Sequence, residues 1–180
     1  MKISVITSDQ IPETKSRPSP AGKRADGSMP PDIAIDIGCV HCSDVVAGTP
    51  EGIRRYHVKK NGWRDIGYHL VIENGYATAK SKYNESADGR ITLTRDFAET
   101  GAHALGINHR SIGICYIGKR PSERQLAALQ DICLELSTRG LDIIGHYETR
   151  HEAKKGRGRK TCPNIDMDMF RESIGIKPNK

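Results

Sequence analysis

The sequence predicts a domain of the α/β class, for two reasons. Segments with the apolar patterns of β-strands are interleaved with segments that have the periodicity and end signals of helices. The chain has 180 residues, which is the length of one domain large enough to bury a core. No window approaches the roughly 18 apolar residues of a membrane span. We therefore expect one globular domain without a membrane partner.

The N-terminal part of the chain has the composition of a loop. Residues 10–32 contain five of the nine prolines and show no apolar periodicity. We therefore divide the chain into a flexible N-terminal arm, residues 1–32, and a folded domain, residues 33–180. The N-terminus lacks the apolar core and the small-residue cleavage site of a secretory signal. We expect the protein to be cytoplasmic as synthesised.

The first half of the folded domain contains two strands separated by a helix. Apolar residues alternate along residues 33–43 and predict a strand with His41 near its end. Residues 49–60 begin with threonine and proline, which suit the N-cap and the first position of a helix. Residues 67–72 predict a second strand, which a hairpin turn joins to residues 76–78.

The second half predicts two strands and two helices. Residues 111–117 form a nearly continuous apolar run, as expected of a central strand that is covered on both faces. Residues 121–140 begin with a capping serine, carry one apolar face and end at a glycine, which indicates an amphipathic helix. Residues 141–146 predict the last strand, and residues 167–174 a closing helix.

The composition limits the classes of function. A net charge of +6 favours polyanionic partners, such as nucleic acid or an anionic cell wall. The basic clusters lack interleaved aromatic residues and match no nucleic-acid-binding motif, so we expect no specific nucleic-acid partner. An odd number of cysteines without an export signal argues against a disulfide framework, and for thiols that are buried, bound to metal or free. They are Cys39, Cys42, Cys115, Cys133 and Cys162.

Two histidines and one cysteine occupy positions where a metal site can form. His41 and His146 each stand at the end of a predicted strand, and Cys162 lies in a predicted loop. Two imidazoles and a thiolate suit zinc, and three protein ligands leave a fourth position for water. The residues alone leave another interpretation open, because a strand histidine is commonly a hydrogen-bonded polar group and a lone cysteine a small buried apolar one.

Seven landmarks follow one another in a fixed order between Val40 and Pro163, within a resemblance that extends from Ile35 to about Ile174. In that order the sequence resembles the type-2 N-acetylmuramoyl-L-alanine amidases, which include phage endolysins of lysozyme type and peptidoglycan recognition proteins. The landmarks are Val40-His41-Cys42-Ser43; Asn61-Gly62-Trp63; Asp65-Ile66-Gly67-Tyr68-His69; Gly101-Ala102-His103 with Gly106-Ile107-Asn108; Ser111-Ile112-Gly113-Ile114; Gly145-His146-Tyr147-Glu148; and Lys160-Thr161-Cys162-Pro163.

The resemblance implies a fold, a metal and a reaction. The fold is a twisted, mixed β-sheet flanked by helices. The metal is Zn²⁺, bound by His41, His146 and Cys162, and Tyr68 and Lys160 are the catalytic pair. The reaction is hydrolysis of the amide bond between the lactyl group of N-acetylmuramic acid and L-alanine in peptidoglycan. Such an enzyme would be a phage or prophage endolysin that acts on the cell wall after release, or an enzyme that recycles wall fragments.

The resemblance also implies residues that contact the substrate. His69 and His103 match residues that line the substrate groove of the family, so the expected partners are peptidoglycan and muropeptides. Strand alternation leaves another role open for His69, which could point to the opposite face from Tyr68 and only pack. Glu148 would share a strand face with His146 and could assist the reaction or have only a supporting role. His57 is interpreted as a surface histidine. We expect a monomer, and the alternative function is a peptidoglycan-binding module without catalysis.

The segment from Thr149 to Arg159 is basic and longer than phage relatives usually carry. It could line the rim of the groove and attract anionic wall polymers, or it could be a solvated loop.

Overall fold

The structure is a computed structural model that describes residues 4–13, 15–18, 32–149 and 161–177. Lys160 and the basic segment from residue 150 to 159 lie outside these ranges. The strands are β1 Ser4–Ile6, β2 Ser16–Arg17, β3 Ile33–Ala34, β4 Ile37–Cys42, β5 Leu70–Asn74, β6 Asp88–Leu93, β7 Ser111–Tyr116 and β8 Asp142–Gly145. The helices are α1 Pro50–Lys59, α2 Glu123–Thr138 and α3 Met167–Ser173.

Six of these strands form one mixed sheet in the order β1-β6-β5-β7-β4-β8, and β2 pairs only with β3. The pairs β5–β7, β7–β4 and β4–β8 are parallel, whereas β6 is antiparallel to both of its neighbours. The predicted α/β domain with a mixed sheet is confirmed. Because β4, β7 and β8 are parallel, their carboxyl ends lie at the same edge of the sheet.

The sequence explains why the central elements form. All six residues of β7 are buried, as its continuous apolar run predicts. Ser122 caps α2 by accepting a hydrogen bond from the amide of Gln125. The buried side chain of Gln125 also donates to the carbonyls of Ile72 and Ile117, which joins the start of α2 to the sheet. None of the helices in the described ranges is long and apolar enough to cross a bilayer.

The N-terminal residues differ from the predicted flexible arm. Ser4–Ile6 pairs with β6 as an edge strand of the main sheet. Ile11 belongs to the hydrophobic core, and the side chain of Arg17 is 1% exposed. The prediction is therefore wrong for these residues, because it rested on the proline-rich composition and missed the short segments before and among the prolines that pair or pack with distant parts of the chain.

Two predicted strands differ from the structure. Residues 76–78 are irregular and form no strand, and the antiparallel partner of β5 begins only at Asp88. At the other end of the chain, β8 stops at Gly145, and His146–Glu148 is a turn of 3₁₀-helix. His146 therefore follows its strand directly instead of ending it.

Candidate metal centre and active site

The carboxyl ends of β4 and β8 bring two of the proposed ligands together. His41 is the second-to-last residue of β4, and His146 follows β8 directly. Open α/β sheets place their sites outside the carboxyl ends of the strands, where the chain leaves the sheet. The two imidazole rings are 4.5 Å apart between centroids. The structure thus places these histidines side by side.

Cys162 joins the two histidines from the loop that precedes α3. Its Sγ atom lies 3.8 Å from Nδ1 of His41, although the residues are 121 positions apart in the chain. The donor atoms of His41, His146 and Cys162 all lie within 4.8 Å of one another. The amide of Tyr147 donates to the carbonyl of Cys162 at 2.9 Å, which ties this loop to the turn that carries His146.

The surroundings of Cys162 make its sulfur responsive to a cation. The adjacent Cys42 thiol and burial raise the pKa of the Cys162 thiol above its ordinary value. The amide of Cys42 donates to Sγ at 3.3 Å and favours the opposite, charged form. A bound divalent cation would favour the thiolate form of Cys162 over the neutral thiol, because a coordinating thiol loses its proton.

The three side chains open onto a cavity of about 470 Å³. Trp63, Tyr68 and His103 also line it. Two imidazole nitrogens and one thiolate match the donors that zinc prefers, and a three-ligand site with its fourth position toward a cavity is the pattern of a catalytic centre. The residues present therefore fit a catalytic zinc ion, which His41, His146 and Cys162 would hold.

A second group of possible ligands shares one histidine with the first. Cys39, His41 and His103 also have donor atoms within 4.8 Å of one another. Cys39 is completely buried and is not among the residues that line the cavity. Burial raises the pKa of its thiol, which opposes the thiolate form. Because a catalytic ion needs access to substrate, the group that faces the cavity is the better candidate.

Tyr68 lies beside the ligand group on the wall of the cavity. Its ring centroid is 5.3 Å from that of His41. Burial, and then the nearby thiols of Cys115 and Cys162, raise the pKa of Tyr68 well above its ordinary value. Its phenol therefore stays protonated and can donate a hydrogen bond to a developing negative charge. The other predicted catalytic residue, Lys160, lies outside the described residues.

The structure separates the two histidines for which we expected substrate contact. His69 is 0% exposed, its Nδ1 accepts from the amide of Gly113 at 2.9 Å, and its Nε2 lies 2.9 Å from the carbonyl of Glu99. Burial, with the charges of His103 and Arg17, lowers its pKa well below the ordinary value. This corrects the expected role of His69, because a fully buried ring cannot contact substrate.

His103 does line the cavity and is half-buried. Burial and then the charge of Arg17 lower its pKa to about 3, so the ring is neutral near pH 7. Its two ring nitrogens face His41 and Ser111 at 3.1 and 3.3 Å, respectively. Substrate contact through His103 stays a prediction.

Comparison with known proteins identifies the family. Residues 33–165 match the family model described as N-acetylmuramoyl-L-alanine amidase. The chain belongs to this family. The match contains the two histidines and the cysteine of the ligand group, and the predicted enzyme class is confirmed at the level of the family.

Individual relatives agree with this assignment. The endolysin of Escherichia phage T7 is 31% identical over 149 residues, which cover 77% of this chain and 87% of the endolysin. The endolysin of Klebsiella phage KP32 is 28% identical over 147 residues, covering 74% and 83%. The solved structure of an endolysin amidase, LysCS from Clostridium intestinale URNW, superimposes with a TM-score of 0.62 at 23% identity. The superposition covers 79% of this chain and 84% of LysCS, so the two proteins share the fold.

A peptidoglycan recognition protein has the same fold. A Drosophila PGRP-LB variant in complex with tracheal cytotoxin superimposes with a TM-score of 0.58 at 21% identity, covering 81% of this chain and 83% of that protein. The similarity to this structure concerns the fold alone.

Glu148 is held away from the ligand group of this amidase. Its carboxylate accepts two hydrogen bonds from the guanidinium of Arg171, at 2.8 and 2.9 Å, and one from the amide of Gly145 at 2.6 Å. Arg171 is 1% exposed and also donates to the carbonyl of Ile143 at 3.0 Å. The carboxylate therefore anchors the turn of His146 to α3, which is the supporting role that the sequence left open.

His57 is a residue whose place the sequence analysis missed. It was interpreted as a surface histidine but is only 8% exposed. Its Nδ1 accepts from the amide of Gly67 at 3.0 Å, and its ring lies between those of Trp63 and Tyr68, 4.6 and 5.5 Å away. The spacing of four residues from Ile53, on the inner face of α1, could have revealed it.

Proposed function

We propose that this amidase is zinc-dependent and hydrolyses the amide bond between the lactyl group of N-acetylmuramic acid and L-alanine in peptidoglycan. The observation that supports it is the group of His41, His146 and Cys162, whose donor atoms lie within 4.8 Å of one another on one wall of the cavity. The family match supports an amide as the bond that is cut, and the donor set supports zinc as the metal.

The ligand residues have a direct chemical role in this proposal. Zinc bound there supplies a nucleophile at neutral pH and a Lewis acid for the scissile carbonyl. His41 and His146 bind as neutral imidazoles, and Cys162 as a thiolate that the Cys42 amide stabilises. The fixed loop and strand ends keep the three donors in place, so little reorganisation is needed when the substrate binds.

Tyr68 acts on the substrate in this proposal. Attack on the amide carbonyl produces a tetrahedral oxyanion, and a preorganised donor stabilises it more in the transition state than in the ground state. The raised pKa of Tyr68 keeps that donor protonated. Lys160, two positions before Cys162 in the sequence, is proposed as the second stabilising group.

The phage relatives favour an endolysin over an enzyme that recycles wall fragments. The two phage relatives described above are endolysins, and the alignments cover more than four fifths of each. We therefore propose a phage or prophage endolysin that is made in the cytoplasm and acts on the wall after release. Its excess positive charge of +6 suits an anionic wall.

Mass spectrometry of purified sacculi tests the reaction. We expect the protein to release stem peptides with free L-alanine N-termini and to leave glycan chains with free lactyl groups. Removal of metal with a chelator should abolish release, and added zinc should restore it. New reducing sugar ends without free L-alanine would contradict the proposal. Sacculi that are bound but not cut by the zinc-loaded protein would indicate the peptidoglycan-binding module instead.

A further inference from the structure

The imidazole of His41 has different neighbours at its two nitrogens. Nδ1 lies 3.8 Å from Sγ of Cys162, on the side of the cavity. Nε2 lies 3.1 Å from Nδ1 of His103. Only one nitrogen of a neutral imidazole carries a proton, so the identity of the metal-binding nitrogen depends on what the other nitrogen faces.

The contacts beyond His103 fix the direction of these hydrogen bonds. The hydroxyl of Ser111 lies 2.8 Å from the carbonyl of Ile107, which can only accept, so the hydroxyl donates there. It therefore accepts from Nε2–H of His103, at 3.3 Å. Nδ1 of His103 then carries a lone pair and accepts from Nε2–H of His41. The proton of His41 therefore stays on Nε2, and Nδ1 presents its lone pair toward Cys162.

Asn108 and Gly113 hold the ring of His103 next to His41. Oδ1 of Asn108 accepts from the amides of His103 and Ala104, each at 2.8 Å. The ring lies against β7 at Gly113, where a Cβ atom would be 2.5 Å from Cδ2 of the imidazole. A side chain at position 113 would displace the ring, which explains a glycine in the middle of a buried strand.

We propose that His103 is a positioning residue, whose Nδ1 accepts a hydrogen bond from His41 and so directs the opposite nitrogen of His41 to the metal. This inference rests on the proposed zinc site and extends it, since it assigns the chain His41–His103–Ser111–Ile107 as the support of one ligand. Partners of this kind orient a ligand and raise its basicity, and losing one weakens metal affinity about 10- to 100-fold.

Zinc affinity, measured by competition with a chromophoric chelator, tests the inference. We expect His103→Ala to weaken binding about 10- to 100-fold. His103→Asn is the matched rescue, because its amide oxygen can stand near the position of Nδ1, and it should recover most of the affinity. Ser111→Ala should weaken binding by less than about tenfold, since His103 keeps its contact with His41. Thermal unfolding of the metal-free variants shows whether each remains folded.

Three outcomes separate the possibilities. If His103→Ala binds zinc like the parent but has a raised KM for muropeptides, His103 contacts substrate and the inference is overturned. If Asn and Ala at this position weaken zinc equally while both fold, the hydrogen bond is not the cause. If instead Cys162→Ala keeps the parent's zinc affinity, the proposed site itself fails. Nitrogen-15 chemical shifts of His41 in the metal-free protein should show the proton on Nε2, and a proton on Nδ1 would contradict the chain.

Discussion

Two histidine-rich clusters lie next to each other in this protein and differ in what their donor atoms face. The groove cluster, His41, His146 and Cys162, lines the cavity with donor atoms that converge on one another. The inner cluster is Arg17, His69 and His103, of which His103 also lines the cavity. Its polar atoms face carbonyls, amides and other side chains of the protein. In the proposed site the same residue type thus serves as ligand or as support, depending on what each ring nitrogen faces.

The largest expected effect is the loss of a groove ligand. Cys162→Ala should remove most of the zinc and nearly all hydrolysis, because two histidines hold zinc far more weakly than a set with a thiolate. Cys39→Ala is the matched control from the second group of possible ligands, and it should keep about one zinc per chain. Metal content by plasma emission and turnover on a defined muropeptide measure both. If Cys39→Ala loses the metal and Cys162→Ala keeps it, the second group of possible ligands, Cys39, His41 and His103, is the metal site.

Removal of the Tyr68 hydroxyl should have the next largest effect. Tyr68→Phe should keep the zinc but lower kcat by about 100- to 1000-fold, the usual loss for one oxyanion donor. Tyr76→Phe, at an exposed tyrosine outside the cavity, should leave turnover unchanged. A loss that falls only on KM would show that Tyr68 binds substrate without stabilising the transition state.

Arg17 tests whether the inner cluster contributes to stability. Its buried guanidinium donates to the carbonyls of Phe97 and Asn108 at 2.6 and 2.8 Å. Arg17→Met would leave both acceptors without this donor, at about 1–3 kcal/mol each, offset in part by the release of a desolvated charge. We expect a loss of about 2 kcal/mol in the free energy of unfolding by denaturant.

The exposed Arg55 provides the control for this substitution. Arg55→Met should change the free energy of unfolding by less than about 0.5 kcal/mol. An Arg17→Met protein as stable as the parent would favour the original prediction of a flexible N-terminal arm at this residue.

The smallest expected effect is a change in the pH dependence of stability. The folded-state pKa of His69 is well below its ordinary value of 6.5, so between the two values the unfolded chain binds a proton that the folded chain does not. Stability is then complete above about pH 6.5 and falls as the pH decreases, by up to about 1.4 kcal/mol per unit. Denaturant unfolding at pH 7 and pH 5, with chelator present, should show a smaller difference for His69→Gln. An equal difference would contradict the assignment.

The sequence predicted most of the elements because their signals are local. The apolar run of β7, the proline at the start of α1 and the capping serine of α2 each depend on neighbours within a few positions. The errors at Ser4–Ile6 and Arg17 have a common cause, since both acquire their places from partners far along the chain. His57 is different, because its partner Gly67 is near in sequence and the spacing along α1 already carried the signal. A proline-rich composition could not show that the segment around Arg17 reaches the loop from Phe97 to Asn108.

The sequence by itself determined the family and the identity of the candidate ligands, because the spacing of landmark residues is a property of the chain alone. The tertiary structure decided which of these residues meet and what the two ring nitrogens of His41 face. His69 and His103 both match groove residues of the family, yet one is fully buried against Gly113 and the other contacts His41. The physical reason is that burial and hydrogen-bond direction arise only when strands distant in sequence pack side by side, and these two quantities set the protonation and role of an imidazole.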